Sequence, residues 1–256
     1  MTQPLLKHSS ALNLEKAMPK SAEPVEKTSD ADEFIYLISH DVRSSVRAML
    51  ELPQWIAEDL EEAGFEIGGS VKSSIALMNS HTRRLDRMMV DLLTYSRIGR
   101  MQTVCDVDLA TALDTALEKL SLPPAFTVKA SLDCQSIVIG DRDVQTLLGA
   151  LIDNAVKHHD REAGRITVAS RAIVGGVVLT VADDGPGIAP EFHQRVLQPM
   201  TTLRSRDLVE GTGLGLACVN KIAELYGGSV RLLSMSDNRG ARIEVTLYSA
   251  TGQQTA

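Results

Sequence analysis

The sequence predicts a chain in two parts: a dimeric helical hairpin forming a four-helix bundle, then a two-layer α/β sandwich. Three observations predict this. Two stretches carry apolar residues spaced alternately three and four apart, a glycine-rich run (GFEIGGS, 64–70) separates them, and after Arg100 short β-rich runs alternate with helical ones.

Residues 1–29, rich in Pro, Lys, Ser and Glu with little apolar period, read as a mobile tail. A first helix starts at Asp30, where Asp30 and Asp32 suit the cap and first turn, and runs to about Glu62. Ile35, Ile38, Val42, Ser45, Met49, Leu52 and Ile56 make a heptad seam, with Pro53 marking a bend or weak break. In that register His40 falls opposite the seam with Asp41 beside it. A lone helical histidine there is ordinarily one more solvated residue.

The second helix has its own seam: Ile75, Met78, Thr82, Leu85, Met89, Leu92 and Ser96. One αα-hairpin has two seams and no complete core. Pairing two copies buries both, so the expectation over residues 30–100 is a homodimer; a long intramolecular coiled-coil hairpin is the alternative. Residues 101–108 read as a linker. The α/β domain then occupies 109–249, with strands at 126–132, 136–140, 165–170, 177–183 and 241–247. Its helices fall at about 109–120, 141–158 and 213–226, and residues 250–256 form a second tail.

Composition limits the partners. A net charge of -7 argues against nucleic acid or an anionic membrane as the main partner. Cys105, Cys134 and Cys218 match no metal or redox spacing and read as reduced, buried residues. No run approaches the eighteen or so apolar residues of a membrane segment, and MTQPLLKHSS lacks signal-peptide character. A cytoplasmic location is expected.

Three stretches carry chemistry. In GDRDVQTLLGALIDNAVKHHD (140–160) an apolar stripe leaves Asn154 and Lys157 on or beside another face. An Asn oxygen can ligate magnesium and a Lys one turn on can reach a phosphate, although polar residues on an outer helix face are the norm. In VADDGPGIAP (181–190) a β-run ends in carboxylates, and Gly185 and Gly187 let backbone approach a ligand. Such a carboxylate can accept from an exocyclic amine like that of adenine; a plain acidic turn is the other reading. In EGTGLGLACVNKIAELYGG (210–228), Gly211, Gly213 and Gly215 precede a helix whose first amides suit phosphate. Glycines in a flexible loop are the alternative.

The order of these signals resembles the bacterial sensor histidine kinases: His-Asp on a helical hairpin, Asn-Ala-x-Lys, Asp-x-Gly-x-Gly, then Gly-x-Gly-x-Gly. The resemblance covers residues 30–248 and extends to DLLTYSRI and RSRDLVEGTGLGLA, the latter most like kinases found behind phytochromes. It implies a dimerisation and phosphotransfer hairpin followed by an ATP-binding sandwich of the GHKL type, shared with gyrase and a heat-shock chaperone.

By this resemblance His40 is the phosphoacceptor and Asp41 polarises its imidazole. Asn154 matches the magnesium ligand, Lys157 a phosphate contact and Asp183 the adenine-recognising carboxylate, with Gly185 and Gly187 shaping its pocket. Gly211, Gly213 and Gly215 match the phosphate loop. Residues 189–210 would form a lid carrying Arg204 or Arg206 to the γ-phosphate. The implied activity is ATP-dependent phosphorylation of His40, then transfer to an aspartate on the receiver domain of a response regulator. Input would come from a separate sensory protein.

The sequence departs from the family at Ser45, where Pro is usual, and at Ala150, where a first asparagine is usual. Leu197 and Met200 replace phenylalanines that anchor the lid. A dimeric phosphotransfer scaffold with a decayed ATP site is the alternative function; the intact acidic and glycine motifs speak against it. An anti-sigma factor kinase would lack the hairpin.

Overall fold

The computed structural model describes residues 30–65, 68–100, 102–203, 211–234 and 239–250, without the side chains of 30–41, 43, 44 and 234. Two long helices, α1 (Asp30–Glu62) and α2 (Gly69–Arg97), pack as the expected hairpin. The helix runs unbroken past Pro53, which is buried.

The packing stripe differs from the predicted seam. Val46, fully buried, heads a line of Leu50, Pro53, Ala57 and Leu60 on α1. Val42, Ser45, Met49, Leu52 and Ile56 are all exposed instead. The two stripes lie roughly a quarter-turn apart at about 100° per residue. On α2 the burial follows Ile75, Asn79, Thr82, Asp86, Met89, Leu93 and Ser96, leaving Met78 and Leu85 exposed. Heptad spacing therefore found a real apolar stripe, but much of it is not the stripe that packs within the hairpin.

The stretch read as a linker contains a strand, β1 (Val104–Asp108). Its carboxylates at 106 and 108 and its brevity hid it; Asp108 ends it by capping α3 (Leu109–Lys119), accepting from Thr111 N at 2.7 Å. β1 pairs antiparallel with β3 (Ser136–Gly140) in a two-stranded sheet. The main sheet has β2 (Phe126–Leu132), β4 (Gly164–Ile173), β5 (Gly176–Asp183), β6 (Ser229–Ser234) and β7 (Ala241–Tyr248) in the order β2-β4-β5-β7-β6. β2 and β4 run parallel and the other pairs antiparallel.

Alternation along these strands builds one apolar face. Val168, Val181 and Ile243 stand side by side, as do Leu179 and Val245, and all five are buried. That face meets α4 (Asp141–Lys157) and α5 (Gly215–Leu225) through Leu148, Leu151, Ile152, Val219 and Ile222. The α/β sandwich expectation holds. β6 was not anticipated, because SVRLLS follows the Gly-Gly end of a helix with little alternation.

Buried polar groups join the hairpin's end to the sandwich. Asp143, 2% exposed, accepts from Gly99 N, Gln102 Nε2 and the Tyr226 hydroxyl, and the same hydroxyl accepts from Gly140 N. Desolvation raises the Asp143 carboxyl above its ordinary range, and these donors partly offset it. Lys221 donates to Tyr95 O at 3.1 Å and lies over the Tyr95 ring.

Candidate functional site

A cavity of about 880 Å³ opens between α4, the end of β5, the glycine-rich loop and α2. The strand parity that buries Leu179 and Val181 puts Asp183 on the same, helix-covered face at the end of β5. Its Oδ1 accepts from Gly185 N at 2.9 Å and Ala241 N at 3.2 Å. Burial raises this carboxyl above the ordinary aspartate value, more than the two amides lower it. With Oδ1 so engaged, Oδ2 is the oxygen left to accept from a ligand donor.

The glycines around Asp183 interlock. A Cβ on Gly187 (φ +76°) would meet Gly240 O at 2.8 Å, and one on Gly240 (φ +87°) would meet Asp183 O at 2.1 Å. A Cβ on Gly185 would crowd Asp183 Oδ1 and the His159 ring. Gly240 was missed in the sequence; its signal is a lone glycine immediately before β7. His159 was missed as well. Its side chain is 1% exposed, with Nε2 3.1 Å from Asp184 Oδ1 and the ring edge-on to Phe126. Asp184 also accepts from Arg165 N, so His159 and β4 hold the turn that carries Asp183.

On α4, Val144, Leu147, Leu148, Leu151 and Ala155 bury one face, and the neighbouring face presents Ala150, Asp153, Asn154 and Lys157 to the cavity. Lys157 Nζ is 2.5 Å from Asp153 Oδ2, so a phosphate would compete with that carboxylate for it. Among the described residues no group of three His, Cys, Asp and Glu side chains could hold a metal ion. Asn154 offers the cavity a neutral side-chain oxygen, a donor that fits a metal arriving with most of its oxygen ligands, as magnesium does on a nucleotide.

Gly211, Gly213 and Gly215 all line the cavity. Only Gly213 is conformationally forced: it has φ +75°, and a Cβ there would meet Thr201 O at 2.5 Å. α5 begins without a side-chain cap, which leaves its first amides at the cavity edge. Leu197 packs against the core, whereas Met200 is 53% exposed with φ 60°. Arg204 and Arg206, predicted to reach the γ-phosphate, lie outside the described residues. His40 and Asp41 sit in α1, with their side chains likewise outside the described residues.

Helix lengths do set their level. His40 is 22 residues from the end of α1, and Asp91 is 22 from the start of α2. In an antiparallel hairpin the two stand at similar height. Asp91 lines the cavity, and its Oδ2 accepts from Thr212 Oγ1 of the glycine-rich loop at 2.5 Å.

Residues 140–251 match the family described as histidine kinase-, DNA gyrase B-, and HSP90-like ATPases. The methanogenesis regulatory histidine kinase FilI of Methanothrix harundinacea is 26% identical over 226 residues, 86% of this chain and 25% of that protein. The signal transduction histidine-protein kinase AfsQ2 of Streptomyces coelicolor is 29% identical over 233 residues, 87% of this chain and 42% of its own. Residues 140–251 thus form an ATPase domain of the histidine kinase, gyrase and HSP90 type, and most of the chain is similar to sensor histidine kinases.

A solved structure shares the fold. Full-length ShkA, solved in complex with AMPPNP, matches with a TM-score of 0.62 at 24% identity, over 86% of this chain and 47% of that one. At that identity the match concerns fold, and it supports the helical region followed by the ATPase sandwich. The chain spans less than half the length of the two relatives above. Among the described residues no helix is long and apolar enough to cross a membrane.

Proposed function

We propose that the chain is an ATP-dependent protein-histidine kinase that phosphorylates His40 and passes the phosphoryl group to an aspartate of a response regulator. One observation carries this reading. The cavity gathers Asp183, Asn154, Lys157 and the glycine-rich loop, and its α2 wall reaches Asp91, at the level of His40.

Asp183 accepts the adenine amine, and its desolvated setting strengthens that bond relative to water. The amides at the start of α5 and Lys157 hold phosphate oxygens. Asn154 is the magnesium ligand; bound magnesium would neutralise phosphate charge as transfer proceeds. A ring nitrogen of His40 attacks the γ-phosphorus, the bond to the bridging oxygen of ADP breaks, and the imidazole proton leaves, with Asp41 orienting the ring. In the second step a receiver carboxylate attacks phosphohistidine, the P–N bond breaks and histidine is regenerated.

A homodimer fits the exposed stripe of Val42, Met49, Leu52 and Ile56, with Met78 and Leu85 beside it, since a second hairpin would cover it. Lid closure by Arg204 or Arg206 belongs to the same reading, as does a separate sensory protein.

Labelling with γ-labelled ATP and magnesium tests it, on wild type and His40→Ala. Acid-labile, base-stable label absent from the variant supports the kinase. Absence of both label and nucleotide binding favours the phosphotransfer scaffold instead, whereas binding without label marks a kinase awaiting its activator.

A further inference from the structure

The nucleotide reading explains the cavity wall built by α4, β5 and the glycine-rich loop, but not the wall built by α2. Leu77, Ser80, Arg84, Arg87, Asp91 and Thr94 line the cavity from α2 at spacings of three and four. At about 100° per residue this stripe lies on the far side of α2 from the one that packs in the hairpin. A helix face expected to be solvated is turned instead toward the presumed phosphates.

Charge gives that face a purpose. The cations lining the cavity among the described residues are Lys157, Arg84 and Arg87, leaving aside its histidines. Lys157 is already held by Asp153 at 2.5 Å. One partly neutralised lysine is little against the several negative charges of a triphosphate. Asp91 reports where Arg87 stands. Beyond its burial and the Thr212 bond, its carboxyl is stabilised by Lys157 of α4 and Arg87 of α2, with Asp153 acting against them, which puts the two cations in one electrostatic neighbourhood across the cavity.

We infer that α2 is a second wall of the nucleotide site, with Arg84 and Arg87 binding the polyphosphate of ATP opposite Lys157 and the glycine-rich loop. This inference rests on the nucleotide reading above. Guanidinium groups suit the task, because each presents several donors to phosphate oxygens in fixed geometry. Polyphosphate held from both sides ties the sandwich to the hairpin, so nucleotide favours the arrangement in which these parts touch.

The test is calorimetric titration of the full chain with the magnesium complex of a non-hydrolysable ATP analogue, and separately with adenosine. Wild type, the double variant Arg84→Gln/Arg87→Gln, the double variant Arg84→Lys/Arg87→Lys and the control Lys72→Gln are compared. The Gln variant is expected to bind the triphosphate about tenfold or more weakly, with adenosine affinity within about twofold of wild type. The Lys variant recovers part of the loss and Lys72→Gln changes neither ligand. Unchanged triphosphate affinity in the Gln variant overturns the inference, as does an equal loss for both ligands, which would mean a structural role. Failure of wild type to bind either ligand defeats the nucleotide reading itself, and this inference with it.

Discussion

Thr212 donates its hydroxyl to Asp91 Oδ2 at 2.5 Å, so the glycine-rich loop is fastened to α2 of the hairpin by one charge-assisted hydrogen bond. Burial raises the Asp91 carboxyl, and the Thr212 bond is the chief influence acting the other way. The loop that should hold phosphate is thus coupled to the helix that lies level with His40.

Thr212→Val keeps the shape of the side chain and removes the donor, leaving a largely desolvated carboxylate. The loss is worth about 1–3 kcal/mol of local stability. Amide exchange across residues 89–98 is expected to accelerate by about tenfold, while the strands β5 and β7 keep their protection. Unchanged exchange in that segment would show that the bond does not hold the two parts together.

Asp183 makes nucleotide affinity depend on pH with a definite sign. Its folded-state value is raised, chiefly by desolvation, so it takes up a proton at higher pH than an ordinary aspartate. A protonated Asp183 loses acceptor strength toward an amine. Affinity for an adenine nucleotide should be flat near neutrality and fall on acidification, with a midpoint above the ordinary aspartate value of about 3.9. An inosine nucleotide offers a carbonyl where adenine offers the amine, so it should not share that fall. Fluorescence titrations of both nucleotides across pH decide it; parallel profiles would remove Asp183 from base recognition.

Much of this was legible in the sequence. Asp183, Asn154, Lys157 and the three glycines sit at the ends of strongly patterned elements, and those elements bring all six to one cavity. The hairpin was legible too, but not which stripe packs, because Ser45 and Val46 are adjacent and a one-residue offset satisfies a heptad almost as well. His159 and Gly240 were missed for a different reason. Each acts on the Asp183 turn from 24 or more residues away, and no local periodicity records a contact between β4, β5 and β7.

Gly211 and Gly213 share a motif but not a requirement. Gly213 has φ +75° and its Cβ would press on Thr201 O at 2.5 Å, whereas a Cβ on Gly211 meets nothing within 4 Å among the described residues. Gly213→Ala should cost roughly 1–3 kcal/mol of strain and open the loop. Affinity for an ATP analogue is expected to fall at least tenfold, and Gly211→Ala to stay within about threefold of wild type. Equal effects at the two positions would mean that the loop's glycines matter for something other than backbone conformation.

Tyr226 closes a buried polar cluster, donating to Asp143 Oδ2 at 2.8 Å and accepting from Gly140 N at 2.9 Å. Tyr226→Phe strips a donor from Asp143 and an acceptor from Gly140, at a cost of about 1–3 kcal/mol. The cost should change with pH. Burial raises the Asp143 carboxyl, so its contribution to stability is largest below the unfolded-state value and is lost as pH rises through the folded-state value. The Tyr226 hydroxyl lowers that folded value, and without it the carboxyl rises further. In acid both proteins hold Asp143 protonated and this part of the difference vanishes; near neutrality the variant bears it in full. Urea denaturation of both proteins from acid to neutral pH should therefore show a widening gap, and a gap that is flat or widens toward acid would mean that the hydroxyl does not act through the Asp143 charge.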